Sequence, residues 1–352
     1  MEHGFSALPP GCHVQLQQQT RQQVLRSLRT IVRQSWTRPT NEVQTYSTLK
    51  GTRNVRLGEF LYDQRIALEE VYRSSAPSGW TTLKRNAGLL AGQEPDGEAK
   101  LSRRLGDLLH IDDPEQLRVM RRVAEAPAQY APASSSDEVR TQMLTYQIDS
   151  ERQPLPYQAL LTRFIDHPAC AEELGELAEV LAARSRLERR SLPGLEGMPL
   201  QLHGAYRIRE ILTAVGFLTA SRRTPFQAGV LALKDRQTEL LFVTLDKSAG
   251  FHDRIAYHDY AVSPARFHWQ SQNSAGPDTI AGRRYIGSAT NGWNFQLFVR
   301  VGKDDPYRVC GPVRLASDED ITGDRPMSIS WTLNVPLPPK LFAEFSVLRG
   351  QA

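Results

Sequence analysis

The chain has 352 residues, with 43 Lys and Arg against 39 Asp and Glu, 40% hydrophobic residues and 23% charged ones. That length predicts about two domains, and the composition is that of a globular chain with a packed core, which excludes a wholly disordered or fibrous protein. No stretch approaches the ~20 apolar residues of a membrane span, the first residues lack a secretory pattern, and Cys12, Cys170 and Cys310 show no Cys-x-x-Cys spacing, so a soluble cytoplasmic protein without a disulfide framework is expected.

Charge is unevenly spread. Residues 1–85 carry 12 Lys and Arg against 6 acids, residues 86–200 carry 13 against 19, and residues 201–352 carry 18 against 14. Only seven of the basic residues are Lys. Arginine suits bidentate contact with phosphate or guanine, although a GC-rich genome produces the same bias.

The first 200 residues read as helices. Val24, Leu25, Leu28, Ile31 and Val32 form one apolar stripe, and Leu57, Phe60, Leu61, Leu68 and Val71 a second. A short helix is expected in WTTLKRNAGLL; with its predecessor and the glycine-containing turn at Gly79 it forms a candidate helix-turn-helix bearing Lys84 and Arg85. Helical signal continues from Glu98 to Leu109, and Asp112-Asp113-Pro114 reads as a cap followed by a first-turn proline. The Ala/Pro/Ser-rich stretch from Glu125 to Asp137 is expected to be a loop, followed by helices over Val139–Ile148, Tyr157–Ile165 and Ala169–Ala183. The last helix carries Glu172, Glu173, Glu176 and Glu179, either a docking surface or a solvated face.

Near Leu202 the period changes. After a helix over Tyr206–Val215, strands are expected at Gly229–Leu233, Glu239–Leu245, Arg266–Ser271, Trp293–Val299, Tyr307–Val313 and Ser328–Val335. Few helical runs separate them, which predicts an α+β protein: an N-terminal helical domain, then a mainly antiparallel curved sheet or barrel with flanking helices. The expected division is a helical region over 1–124, a linker and helical segment over 125–202, and a β-rich domain over 203–352.

The familiar catalytic patterns are missing. Gly302-Lys303 is followed by Asp304, so no phosphate-binding Gly-Lys-Ser/Thr loop exists, and neither a zinc peptidase motif nor a nucleophile elbow is present. Asp235, Glu239, Asp246 and Lys247 only approach a metal-nuclease pattern, because adjacent Asp246 and Lys247 would face opposite sides of a strand. No cofactor and no metal site are expected.

The stretch YHDYAVSPARFHWQSQNSAGPDTIAGRRY gathers aromatics, histidines, glutamines and an Arg pair within about 30 residues. On a strand, Phe267, Trp269 and Ser271 point one way while His268, Gln270 and Gln272 point the other. Rings that stack bases and polar groups that read a base edge are the parts needed to hold a flipped nucleotide. The candidate pocket is therefore Tyr257, Tyr260, Phe267, Trp269 and Tyr285 as walls, with His258, Asp259, His268, Gln270 and Gln272 as polar contacts. Strand alternation turns about half of them inward, and a structural reading makes Phe267 and Trp269 core. Arg222, Arg223, Arg283, Arg284 and Arg300 are the candidate clamps on a DNA backbone.

The segments HDYAVSPARFHWQSQ, RRYIG, FQLFVR and GDRPMSISWTLNVPLPPKLF resemble the C-terminal domain of bacterial superfamily-two helicase-like proteins, many of which also carry a phospholipase-D-type nuclease. LPPGCHVQL, WTTLKRNAGLL and LGDLLHIDDPEQL are similar to the helical segment that follows the helicase core in that group. Its members include type IV restriction enzymes that cut DNA containing methylated or hydroxymethylated cytosine. The resemblance implies a helical coupler and a base-flipping reader of modified cytosine in double-stranded DNA, acting in restriction or phage defence. The family's ATPase and nuclease motifs are absent, so the implied partner is a helicase or nuclease, as another part of a longer chain or a separate subunit. Two further readings stand beside it: a phosphodiesterase or nucleotide hydrolase, and a protein-interaction subunit that docks a motor or nuclease.

Overall fold

The computed structural model describes residues 38–73, 78–149, 155–223, 226, 228–245, 259–288 and 290–346. The expected helix over residues 20–32 lies outside them. Two compact units are present: residues 38–55 with 83–92 form one, and residues 56–82 with those from 93 onward form the other. In the first, α1 (Arg38–Lys50) ends in a turn where Ser47 Oγ donates to the Thr52 carbonyl at 2.7 Å, and the Arg53 guanidinium donates to the Gly88 carbonyl.

The helices of the second unit follow the stripes read from the sequence. The stripe from Leu57 to Val71 is cut in two, α2 (Leu57–Gln64) and α3 (Leu68–Val71), because Arg65 takes a left-handed φ of 53° and its N–H closes the end of α2. Next come α4 (Trp80–Asn86), whose residues from Leu83 onward belong to the first unit, and α5 (Glu98–Leu105). Lys84 is 3% exposed and Trp80 fully buried, so α4 does not display the basic face that a recognition helix requires. Asp113 opens α6 (Pro114–Glu125) with a side-chain cap on Glu115 N at 2.9 Å, and Ser134 opens α7 (Ser135–Ile148), four residues ahead of the apolar signal at Val139. Then follow α8 (Tyr157–Asp166) and α9 (Pro168–Arg184).

The acidic face of α9 does not stay in solvent as a set. Glu173 is fully buried, where it accepts from Trp80 N at 2.8 Å, Thr81 N at 3.0 Å and Ser102 Oγ at 2.7 Å. Glu176 accepts from Leu57 N. These two carboxylates cap α4 and α2, whose first N–H groups have no partner within their own helices.

The remaining elements are β1 (Ala205–Tyr206), α10 (Ile208–Ala214), β2 (Val230–Leu233), β3 (Thr238–Thr244), β4 (Tyr260–Ser263), β5 (Arg266–Gln270), α11 (Ile280–Ile286), β6 (Asn294–Arg300), β7 (Tyr307–Arg314), β8 (Ile321–Thr322), β9 (Ser328–Leu333) and α12 (Pro339–Phe345). The strands form one nine-stranded open sheet in the order β2-β3-β6-β7-β9-β5-β4, with β1 added to β7 and β8 to β9. Every pairing is antiparallel except β3 with β6. The fold is thus α+β, with a mostly antiparallel sheet that does not close into a barrel. No helix among the described residues is long and apolar enough to cross a membrane.

The sheet is covered unequally. One face carries Leu241, Val243, Phe267, Trp269, Phe295, Leu297, Ile329 and Trp331, packed against Tyr285 of α11 and Leu341 and Phe345 of α12. The other face carries Leu240, Phe242, Phe298 and Val309, which pack under Leu192, Leu195, Leu200 and Leu202, under α10 and against Met143 of α7. Gly311, at φ +88°, lets the Leu192–Leu202 segment lie this close, since a Cβ there would meet Leu202 Cδ1 at 2.6 Å.

A buried polar junction joins the helices to the sheet. Asp113 is fully buried and accepts from Arg140 Nη1 at 2.5 Å and Tyr206 Oη at 2.7 Å. Its neighbour Asp112 accepts from Ala205 N at 2.9 Å and pairs with Arg308 of β7. Deeper in, Glu210 Oε2 bonds His110 Nε2 at 2.6 Å, Gln147 Nε2 at 3.1 Å and Arg207 N at 2.7 Å. Asp113→Ala leaves the Arg140 guanidinium, 3% exposed, without its counter-charge. The expected loss is about 3–5 kcal/mol, measured as a lowered midpoint in chemical denaturation.

On the outer side, Asp137 is held by Arg118 at 2.6 Å and Arg122 at 2.8 Å. Burial disfavours its charge, but the arginines outweigh burial and keep the carboxyl below its ordinary range. A lowered folded-state value means that the stabilisation is full above the ordinary aspartate value of about 3.9 and is lost as pH falls below it. Acid titration of folding, followed by circular dichroism, is expected to show this loss, and Asp137→Asn to flatten it.

Candidate nucleic-acid interface

Strand β5 sorts the candidate residues by alternation. Phe267 is fully buried and Trp269 is 4% exposed, whereas Arg266, His268 and Gln270 are half-buried on the opposite face. The inward rings form one cluster: Trp269 meets Tyr285 edge-on at 5.4 Å and Trp331 at 6.4 Å, and Trp331 stacks on Phe295 at 5.0 Å. Tyr285, 1% exposed, donates its hydroxyl to Glu239 at 2.7 Å. Burial and that carboxylate push the hydroxyl well above its ordinary range, so it stays a neutral donor. Phe267, Trp269 and Tyr285 therefore lie in the core and do not line an open cavity.

The outward residues meet others through the sheet register. Tyr260 faces His268, which faces Ser330; Gln270 faces Ser328, which faces Thr322; and Arg266 faces Thr332, which faces Arg314. Directly paired residues share a face, so these three rows make a polar surface. Within it the Tyr260 and His268 rings stack at 5.2 Å and 23°, and His268 Nε2 lies 3.1 Å from Ser328 Oγ. All of these residues are half-buried or exposed. The surface continues the sheet face that the helices cover over β3 and β6.

Asp259 is 8% exposed and its Oδ1 accepts from Gln270 N at 2.8 Å, which extends the β4–β5 ladder by one side-chain bond. Gln272 is exposed beyond the end of β5. Tyr257 and His258 lie outside the described residues.

The candidate clamp arginines divide in the same way. Arg284 pairs with buried Glu239 at 2.6 Å and stacks over Trp293 at 4.6 Å; Arg223, 9% exposed, pairs with Asp149 at 3.4 Å and stacks over Tyr146 at 5.1 Å. Both hold the fold together. Arg300 lies over Tyr307 at 4.5 Å and donates to Thr244 Oγ1 at 2.8 Å. Arg222 and Arg283 are exposed and donate to backbone carbonyls, Arg222 to Gly216 and Phe217 and Arg283 to Asp278.

Sequence reading missed Arg266, Arg314, Ser328, Ser330 and Thr332 as members of this surface. The alternation of SISWTL marks the three β9 residues, but only the strand register places them beside His268. Of the nuclease-like set, Glu239 is committed to Arg284 and Tyr285, and Asp246 and Lys247 lie outside the described residues. Among the described residues, no group of three or more His, Cys, Asp or Glu side chains converges on a metal site.

Phe267→Ala removes a fully buried ring and is expected to cost about 3–5 kcal/mol of folding stability. Chemical denaturation checks this, and a loss of unfolding free energy well under about 1 kcal/mol contradicts the core placement.

Residues 200–345 match DUF3427, a domain of unknown function found in helicase-associated proteins. The match runs from Leu200, on the helix-covered face of the sheet, to Phe345 at the end of α12. No curated protein matches the chain.

Proposed function

We propose that the chain is a DNA-binding specificity module that recognises methylated or hydroxymethylated cytosine through the open face of β4, β5 and β9. The observation that carries this reading is the half-buried Tyr260–His268 stack, set among amide and hydroxyl side chains on a sheet whose other face is a rigid aromatic core. A base stacks on such a ring only after it leaves its own stack, which is the geometry of a flipped nucleotide. Gln270 and Ser328, one row away, supply donors and acceptors for a base edge. The resemblance to restriction-associated helicase proteins and the match to a domain of helicase-associated proteins support the same direction. In this reading the module works in the cytoplasm beside a helicase and a nuclease, which supply the chemistry, in restriction or phage defence.

The test is a binding titration against matched duplexes with plain, methylated, hydroxymethylated and glucosylated cytosine, at two salt concentrations. A modified duplex is expected to bind more tightly than the plain one. Tyr260→Ala is expected to weaken the preferred duplex roughly 5- to 150-fold, the loss of one base stack of about 1–3 kcal/mol, and to reduce the preference. Equal weakening on plain and modified duplexes overturns the base-reading role of this face.

A further inference from the structure

We infer that Arg266 and Arg314 form a subsite for one phosphodiester of the nucleotide whose base stacks on Tyr260 and His268. This rests on the reading of the open face as a DNA-binding surface. The two arginines flank Thr332 in one cross-strand row, Arg266 from β5 and Arg314 from β7. Neighbouring strands lie about 4.8 Å apart, so the arginine backbones stand roughly 9.6 Å from each other, within the combined reach of two arginine side chains. The Tyr260–His268–Ser330 row is two residues further along β5, about 6.7 Å away. That is the scale of one nucleotide.

Arg266 is already aimed. Its Nη2 donates to Ser330 Oγ at 2.9 Å, in the row of the ring stack, and its guanidinium pairs with Asp320. Asp320 is in turn fixed by Ala316 N at 3.1 Å and Ser317 N at 3.2 Å. The Arg266 side chain is still 42% exposed, and a guanidinium has five N–H donors in a rigid fork, so donors remain for an incoming oxygen. Because Asp320 offsets the charge of Arg266, the net cation of the row is Arg314, which is exposed. Glu319 beside Asp320 is also exposed. With Glu319 counted, the two arginines and the two acids sum to zero, so the row would hold one phosphodiester by directed guanidinium hydrogen bonds at short range, which does not fit a basic groove along a duplex. The substrate of the face is then a single extruded or unpaired nucleotide with its own phosphate.

The experiment uses the full chain and fluorescein-labelled oligonucleotides: a single strand, and a duplex with one modified cytosine opposite a mismatch, titrated at several sodium chloride concentrations. Arg314→Gln is the principal variant, since the side chain is exposed; Arg266→Gln is the second, with its denaturation midpoint measured alongside. Arg314→Gln is expected to weaken both ligands severalfold at low salt and to lower the salt slope by about one unit, with the preference for modified over plain cytosine unchanged. An Arg314→Gln protein that binds with wild-type affinity and slope, while Tyr260→Ala still weakens binding, overturns the phosphate subsite and leaves the base-reading face standing. A wild-type chain that binds no oligonucleotide overturns both.

Discussion

One buried carboxylate organises the second unit. Asp113 caps α6, neutralises Arg140 of α7 and accepts the hydroxyl of Tyr206 in β1, all at full burial. An unpaired carboxylate in that position would be untenable, so the three elements are fixed together or not at all. Asp112, one residue earlier, reaches Ala205 N and Arg308. Two adjacent acids thus tie the start of one helix to the helical layer and to the sheet. The consequence is that the matched region from residue 200 does not stand apart from what precedes it. Without α7 and the Leu192–Leu202 segment, the fully buried Leu240 and Phe298 would lose part of their cover and keep only that from α10, a fraction of the ~1.5–3 kcal/mol that full burial of each such side chain contributes.

The same junction decides where the sheet stays open. Helices and the Leu192–Leu202 segment lie over β3, β6 and the first half of β7, and these strands are apolar on both faces, as in TELLFVT and NFQLFV. Over β4, β5 and β9 the described residues place only a single helical turn, Asp318–Asp320, beside that face, through the Asp320–Arg266 pair, and the sequence changes to strict alternation, as in RFHWQ and SISWTL. A two-sided strand and a one-sided strand differ in what water requires of them. The shift between the two patterns is the sequence record of the uncovered surface.

Much of this was legible beforehand. The six expected strands are present within one or two residues, because period-2 alternation and turn residues act locally. The inward and outward sets of β5 also follow from alternation alone. What was not legible depends on contacts distant in sequence. Rings near one another in the chain suggested a pocket, yet Trp269 and Tyr285 find Phe295 and Trp331, which complete an interior cluster. Arg284 resembled a clamp until Glu239, 45 residues away, took its charge. Strand β4 was hidden because YAVS is too short to show a period, and its identity comes from pairing with β5. Glu173 and Glu176 read as surface acids since the helix ends that they cap lie about a hundred residues earlier.

Arginine usage gains its meaning only from these contacts. Arg140, Arg223, Arg284 and Arg308 are bound to carboxylates within the fold, so a count of basic residues overstates the charge offered to a polyanion. Affinity for duplex DNA that comes from phosphate neutralisation scales with the number of contacts made. A face whose two arginines stand beside Asp320 and Glu319 gains little from that source, so in the proposed reading discrimination rests on the base itself. In the proposed reading this division is the favourable one: weak attraction to every duplex leaves the difference between one base and another as the dominant contribution to binding.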